Sequence, residues 1–165
     1  MIVRLTQKLG KKIHVSPTKS YPLDSNPLAD WSAHLFTVAR TQYILVTNTA
    51  SLYSAVLYGR GISDDMRFLD RMLSTIREVM EEDGLSLVYQ KLVAPSSATV
   101  VFSKAFSRSI TGSMNDHILA SKLFLGEVDL SLHETSFKLN STPLSAIEYG
   151  SPRNAMQVLC TDLLG

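Results

Sequence analysis

The spacing of apolar and polar residues divides the chain into extended and helical stretches. Ile2 to Leu5 reads as a short strand, and Thr6 to Ile13 as one or two helical turns capped by Thr6 and weakened by Gly10. Ser16 to Pro27 carries Pro17, Pro22, Pro27 and Asn26 and is expected to be a loop, since proline supports neither a ladder nor a helix interior. From Trp31 to Asn48, two runs rich in β-branched and aromatic residues flank a short polar break, which predicts an antiparallel hairpin. The second run, Tyr43 to Val46, is apolar at successive positions and is therefore expected to be covered on both faces. Leu52 to Tyr58 gives a further strand, stopped by Gly59 and Gly61, and these strands are expected to form the sheet's middle.

Ser63 to Asp83 is the clearest helix, because Leu69, Met72, Leu73, Ile76, Val79 and Met80 recur at the spacing of one helical face. Ser63 is its expected cap, Asp64 and Asp65 complement the positive helix end, and Gly84 stops it. The opposite face, with Asp70, Arg71, Arg77, Glu78, Glu81 and Glu82, is expected to meet water. Leu85 to Val93 suits a strand or a helical turn and is assigned as strand. Ala98 to Ser103 reads as a strand with Val100 and Phe102 on one face. Phe106 to Thr111 then leads into a turn at Gly112, after which Ser113 caps a helix to about Leu125, stopped by Gly126. Its apolar residues spread around more than one face, so it is expected to be sandwiched between the sheet and another element. Leu130 to Asn140 is open between helix and irregular chain. Ser151 as cap and Pro152 at the first helical position announce a last helix with an Ala155, Met156, Leu159 and Leu163 stripe. The pattern predicts a single α+β domain over residues 1–165, a mostly antiparallel sheet packed against three or so helices.

The totals narrow the classes. A chain of 165 residues that is 45% hydrophobic and 19% charged can bury a core without disulfides or a structural metal. Its formal charge of +1 provides no global pull toward nucleic acid or an anionic membrane. A nucleic acid would have to use the basic amino end with Tyr21, Arg40 or Arg60, and pairing of Lys8, Lys11 and Lys12 with the acidic helix, within the chain or between subunits, is the simpler expectation. Cys160 is the sole cysteine, which excludes an intrachain disulfide and fits a reducing, cytoplasmic setting. No apolar run reaches the length of a signal peptide or of a membrane span of about 18 residues, so a chain starting at Met1 and outside the membrane is expected.

Three stretches, Ala-Asp-Trp-Ser-Ala-His-Leu-Phe (29–36), Tyr-Ile-Leu-Val-Thr-Asn (43–48) and Arg-Ser-Ile-Thr-Gly-Ser-Met-Asn-Asp (108–116), resemble an uncharacterised bacterial family of unknown function over nearly the whole chain. The resemblance implies no activity. Members with this pattern often carry Asn where this chain has His34, which counts against His34 as a catalytic base.

Candidate chemistry gathers at the third stretch. Gly112-Ser113 ahead of a helix would offer outward amides to an anion, with Ser109, Asn115 and Asp116 nearby and Arg108 or Arg60 supplying charge. The same residues also describe an ordinary helix cap, and Asp116 would repel an anion. Asp30, His34 and either Ser32 or Ser113 have the residue types of an acid, base and nucleophile, but Asn115 breaks the Gly-x-Ser-x-Gly arrangement. His117 with Asp116 and His133 with Glu134 lack metal-ligand spacing. No metal and no cofactor are therefore expected. The expectation is a small non-enzymatic binding or protein-interaction module, whose partner is another protein or a second copy in a homodimer. The alternative is an enzyme or sensor holding a phosphate or carboxylate ligand through Arg108, Ser109, Gly112, Ser113, Asn115, Asp116, His34 and Arg60.

Overall fold

The computed structural model describes residues 1–148 and 150–165. Five strands, β1 (Ile2–Leu5), β2 (Asp30–Val38), β3 (Thr41–Asn48), β4 (Ser54–Tyr58) and β5 (Val101–Ser103), form one sheet in the order β4-β3-β2-β1-β5. The predicted hairpin is β2–β3, with Trp31 opposite Asn48 and Val38 opposite Thr41. Its two-residue turn places Ala39 and Arg40 at φ 45° and 70°, the mirror-type turn that matches strand twist but favours Asn and Gly. The sheet is mixed rather than mostly antiparallel, because β1 pairs parallel with both β2 and β5 while β2–β3 and β3–β4 are antiparallel. The early strand β1 and the late strand β5 thus insert beside the hairpin, which leaves β4 at an edge instead of in the middle.

Among the described residues six α-helices, more than the three or so expected, surround the sheet: α1 (Gln7–Ile13), α2 (Asp65–Glu82), α3 (Ser86–Val88), α4 (Arg108–Lys122), α5 (Leu132–Ser141) and α6 (Pro152–Leu164). The strand pleat sorts the side chains. Val3, Trp31, Leu35 and Ile44 face one way into a core shared with Leu9 of α1, Phe68 and Met72 of α2, and Met156 of α6. Phe36, Leu45 and Val56 face the other way, against Met114 and Ile118 of α4 and Leu139 of α5. Ile44 and Val46 thus lie in one core and Leu45 in the other, so β3 is covered on both faces as its apolar run predicts.

Local chemistry sets the element ends. Thr6 caps α1 as expected, but Gly10 is not a weakness: a Cβ there would lie 2.5 Å from the Val15 carbonyl oxygen, and Val15 N–H donates to the Gly10 carbonyl. The returning chain packs where only glycine fits. Asp64 rather than Ser63 caps α2, accepting from the Arg67 amide, and Gly84 follows at φ 75°. Leu85 to Val93 is helical, as α3 running into a π-turn at Tyr89–Val93, because Val88, Tyr89 and Val93 meet the core at helical spacing. Pro95–Ala98 is a 3-10 turn, so β5 begins three residues later than its pattern suggests. Ser107, not Ser113, caps α4 by accepting from the Ile110 amide. The undecided segment becomes α5, with Ser131 as cap, and Ser151 and Pro152 open α6 as expected.

Side chains of α5 cover the β4 edge, and the 19–21 loop is tied to the end of β5. At β4, the Asn140 side chain accepts from the Ser54 amide and donates to the Ser54 carbonyl, while Ser136 Oγ accepts from the Val56 amide. One helical turn of α5 thus imitates a neighbouring strand. At β5, the Tyr21 amide donates to Ser103 Oγ and the Lys104 amide to the Lys19 carbonyl.

Candidate functional site

The α4 face of the sheet carries a polar row. The register aligns Ser103, Arg4, Ser32, Thr47 and Ser54 across all five strands, and all five side chains are buried. Arg4 uses its five N–H groups: two to the Asp30 carboxylate at 2.8 Å, and the rest to the Tyr21 and Pro22 carbonyls and Ser103 Oγ. Asp30 also accepts from Thr49 Oγ1 at 2.8 Å and from the Asp24 amide. The Phe106 ring lies 5.0 Å from the guanidinium carbon. This cluster ties the 19–24 loop to the sheet and has no donor left for a ligand.

At the other end of the row, Ser54 Oγ lies 3.0 Å from His117 Nδ1 and 2.7 Å from Thr47 Oγ1, and it donates to the Leu52 carbonyl at 2.9 Å. The single Ser54 proton has three neighbours, so the direction of its bond to His117 follows the imidazole tautomer, and His117 Nε2 has no partner among the described residues. His117 is 2% exposed and Ser54 0%, so this serine–histidine pair is sealed away from substrate. Burial pushes the His117 pKa down to about 4, with Asp116 opposing the shift.

An open site lies above the row, at the carboxyl ends of β1 and β5. These strands are parallel neighbours, yet the chain leaves β1 into α1 on one face and leaves β5 into α4 on the other. Such a divergence opens a crevice between strand ends, where ligands of open sheets with parallel strands bind. Three depressions meet there, and Ala105 lines each of them. The larger, about 540 Å³, has Lys11 and Lys104 on its rim and Leu5, Val15 and Pro17 in its wall. A second, about 400 Å³, runs past Ser107, Arg108, Gly112 and Asn115. Between them a small cavity of about 10 Å³, room for one water, reaches Ser32 and His34. Among the described residues no Asp or Glu lines any of the three. His34 Nδ1 has no hydrogen-bond partner among the described residues, and burial, then Lys8 and Lys122, holds its pKa below the ordinary histidine value.

The structure thus brings part of the predicted set together. Arg108, Gly112 and Asn115 share the second depression, and His34 lies beneath it. Ser113 turns inward and is buried, while Ser109 and Asp116 are exposed and line none of the three depressions. Arg60 sits in the β4–α2 turn, where its carbonyl accepts from Arg71. Gly112 and Ser113 form no helix start; they lie in the second turn of α4. The Asp30–His34–serine set is not assembled either, since Asp30 binds Arg4 and Thr49 and Ser32 bonds to Thr49. His133 faces Glu82 at 3.0 Å and Glu78 at 3.6 Å, and no group of three potential metal ligands occurs among the described residues. Among those residues Lys8, Lys11 and Lys12 make no ion pair with α2 or its caps: Glu78, Glu81 and Glu82 of the helix and the capping Asp64 and Asp83 pair with Arg67, Arg77, His133 and Arg153, and Lys12 donates to Gln42 instead. Lys104, Ala105 and Lys11 were missed as site residues. The signal for them was the i, i+4, i+8 run Ile110, Met114, Ile118, which carries α4 back to a Ser107 cap and sets Lys104 and Ala105 at its entrance.

Fold and cleft together define a small mixed-sheet α+β domain with a cation-rimmed crevice at the ends of its parallel strands. The chain belongs to the family described as a domain of unknown function, DUF6933, whose model matches residues 2–155. No curated protein matches it.

Proposed function

We propose that this domain binds a small anionic ligand in the crevice at the carboxyl ends of β1 and β5. The observation that carries the reading is the placement of Lys11 and Lys104 on one depression and Arg108 on its neighbour, the two sharing Ala105, with no carboxylate in the described lining of either. Cations gathered without counter-charges attract and orient an anion. Gly112 supports the same reading. A Cβ placed there meets nothing within 4 Å among the described residues, so the fold does not require glycine, yet glycine in a helix interior costs about 0.5–1 kcal/mol relative to alanine. The missing side chain keeps the depression open. The cations and the apolar wall support binding or sensing. The sole thiol, Cys160, is buried, in keeping with a reducing cytoplasm. A thermal-shift panel of inorganic phosphate, acetate, citrate and nucleotides tests the proposal: ligand at about 100 times its dissociation constant adds roughly 2.7 kcal/mol. A melting temperature unmoved by every anion would defeat it.

A second reading, association with another copy of the chain, is favoured by Leu119 on α4 and Leu123 just past its end, which are 67% and 46% exposed. Sedimentation that reports only monomer at high protein concentration would remove that reading.

A further inference from the structure

We propose that the ligand is a phosphate monoester carrying an apolar organic group, an inference that rests on the anion-binding reading above. The charge of the site argues for the phosphate. Lys11 and Lys104 flank the larger depression, Arg108 stands across Ala105, and no described carboxylate offsets them. A carboxylate would balance one of these cations, whereas a phosphate monoester carries about −1.5 to −2 charges at neutral pH and offers three acceptor oxygens. Lysine suits this role as a compact point charge with three donors. The walls argue for the ester. Leu5, Val15, Pro17 and Ala105 give the depression an apolar side that a bare ion would leave wetted, and its volume of about 540 Å³ falls in the range of roughly 300–1,000 Å³ that holds organic ligands. That wall is fixed, because the Val15 amide is held by the Gly10 carbonyl at 2.9 Å. The phosphate sits between the two lysines, the organic group lies on Leu5, Val15 and Pro17, and any polar substituent extends over Ala105 toward Asn115.

Calorimetric titration with phenyl phosphate, inorganic phosphate and benzoate tests this, using the intact protein and the Lys104→Gln variant. Lys104 is exposed and its structural contact is through its backbone amide, so the variant keeps the fold, which a matching far-ultraviolet circular dichroism spectrum verifies. The proposal expects phenyl phosphate to bind at least tenfold tighter than either of the other probes and to lose at least tenfold in the variant. Benzoate binding as tightly as phenyl phosphate, or inorganic phosphate doing so, overturns the ester while leaving the anion site standing. Unchanged phenyl phosphate affinity in Lys104→Gln overturns the placement. Silence from all three probes, together with no shift in the wider anion panel, defeats the anion-binding reading itself.

Discussion

At residue scale, three cases show how the same chemistry divides between holding the fold and leaving a site. Arg4 and Asp30 look like site residues by type, but their hydrogen bonds are saturated inside the structure. Removing one partner strands a buried charge, so Asp30→Ala is expected to cost about 3–5 kcal/mol in urea unfolding. A loss under about 1 kcal/mol would mean that the pair is not the fastener described. His117 is the second case. Its pKa is about 4 in the folded chain against 6.5 when free, so the unfolded state binds the extra proton first. Its contribution is intact above pH 6.5 and is lost as pH falls toward 4, by roughly 3 kcal/mol at 1.36 kcal/mol per pKa unit. His117→Phe should flatten that part of the stability–pH curve, and a variant with the wild-type slope would place the titration elsewhere. Gly112 is the third. Gly112→Ala is expected to raise stability in urea unfolding by about 0.5–1 kcal/mol, because its Cβ meets open space, and an unchanged or lowered stability would mean that the fold needs this glycine.

At the scale of elements, the account turns on how edges and helix starts are chosen. Asn140 and Ser136, one turn apart on α5, occupy the hydrogen-bonding groups of β4 that would otherwise invite another strand. Asn140→Ala leaves the Ser54 amide and carbonyl without that partner, so a loss of about 1–3 kcal/mol and a rise in light scattering on heating are expected. Wild-type stability and clarity would contradict this role. The hairpin, α2 and α6 were legible in sequence because their signals are local: strand composition about a two-residue break, a one-sided apolar face, and a Ser-Pro start. Leu85 to Val93 was not, since a short apolar run fits both periods and only packing against the first core decides for helix. The α4 start was misplaced for a related reason. Gly112 and Ser113 have the composition of a turn, but Ile110 must reach the second core, and that contact pulls the helix back to Ser107.

At the scale of the whole molecule, the site depends on strands 95 residues apart in the chain. Pairing of β1 with β5 cannot be read from either short strand, and the crevice exists only because the chain turns to opposite faces after each of them. Arg108, Gly112, Asn115 and His34 could therefore be picked out as residues, whereas Lys11, Lys104 and Ala105 gain meaning only from the topology. Membership of the family fits that picture, since the match over residues 2–155 includes all five strands and α1 to α5. The most direct measurement is an amide chemical-shift titration of the 18.2-kDa protein with phenyl phosphate. The account predicts saturable shifts confined to Thr6–Lys11, Val15–Ser16 and Lys104–Asn115. Shifts centred instead on the Leu119–Leu123 face, or none at saturating ligand, would contradict it.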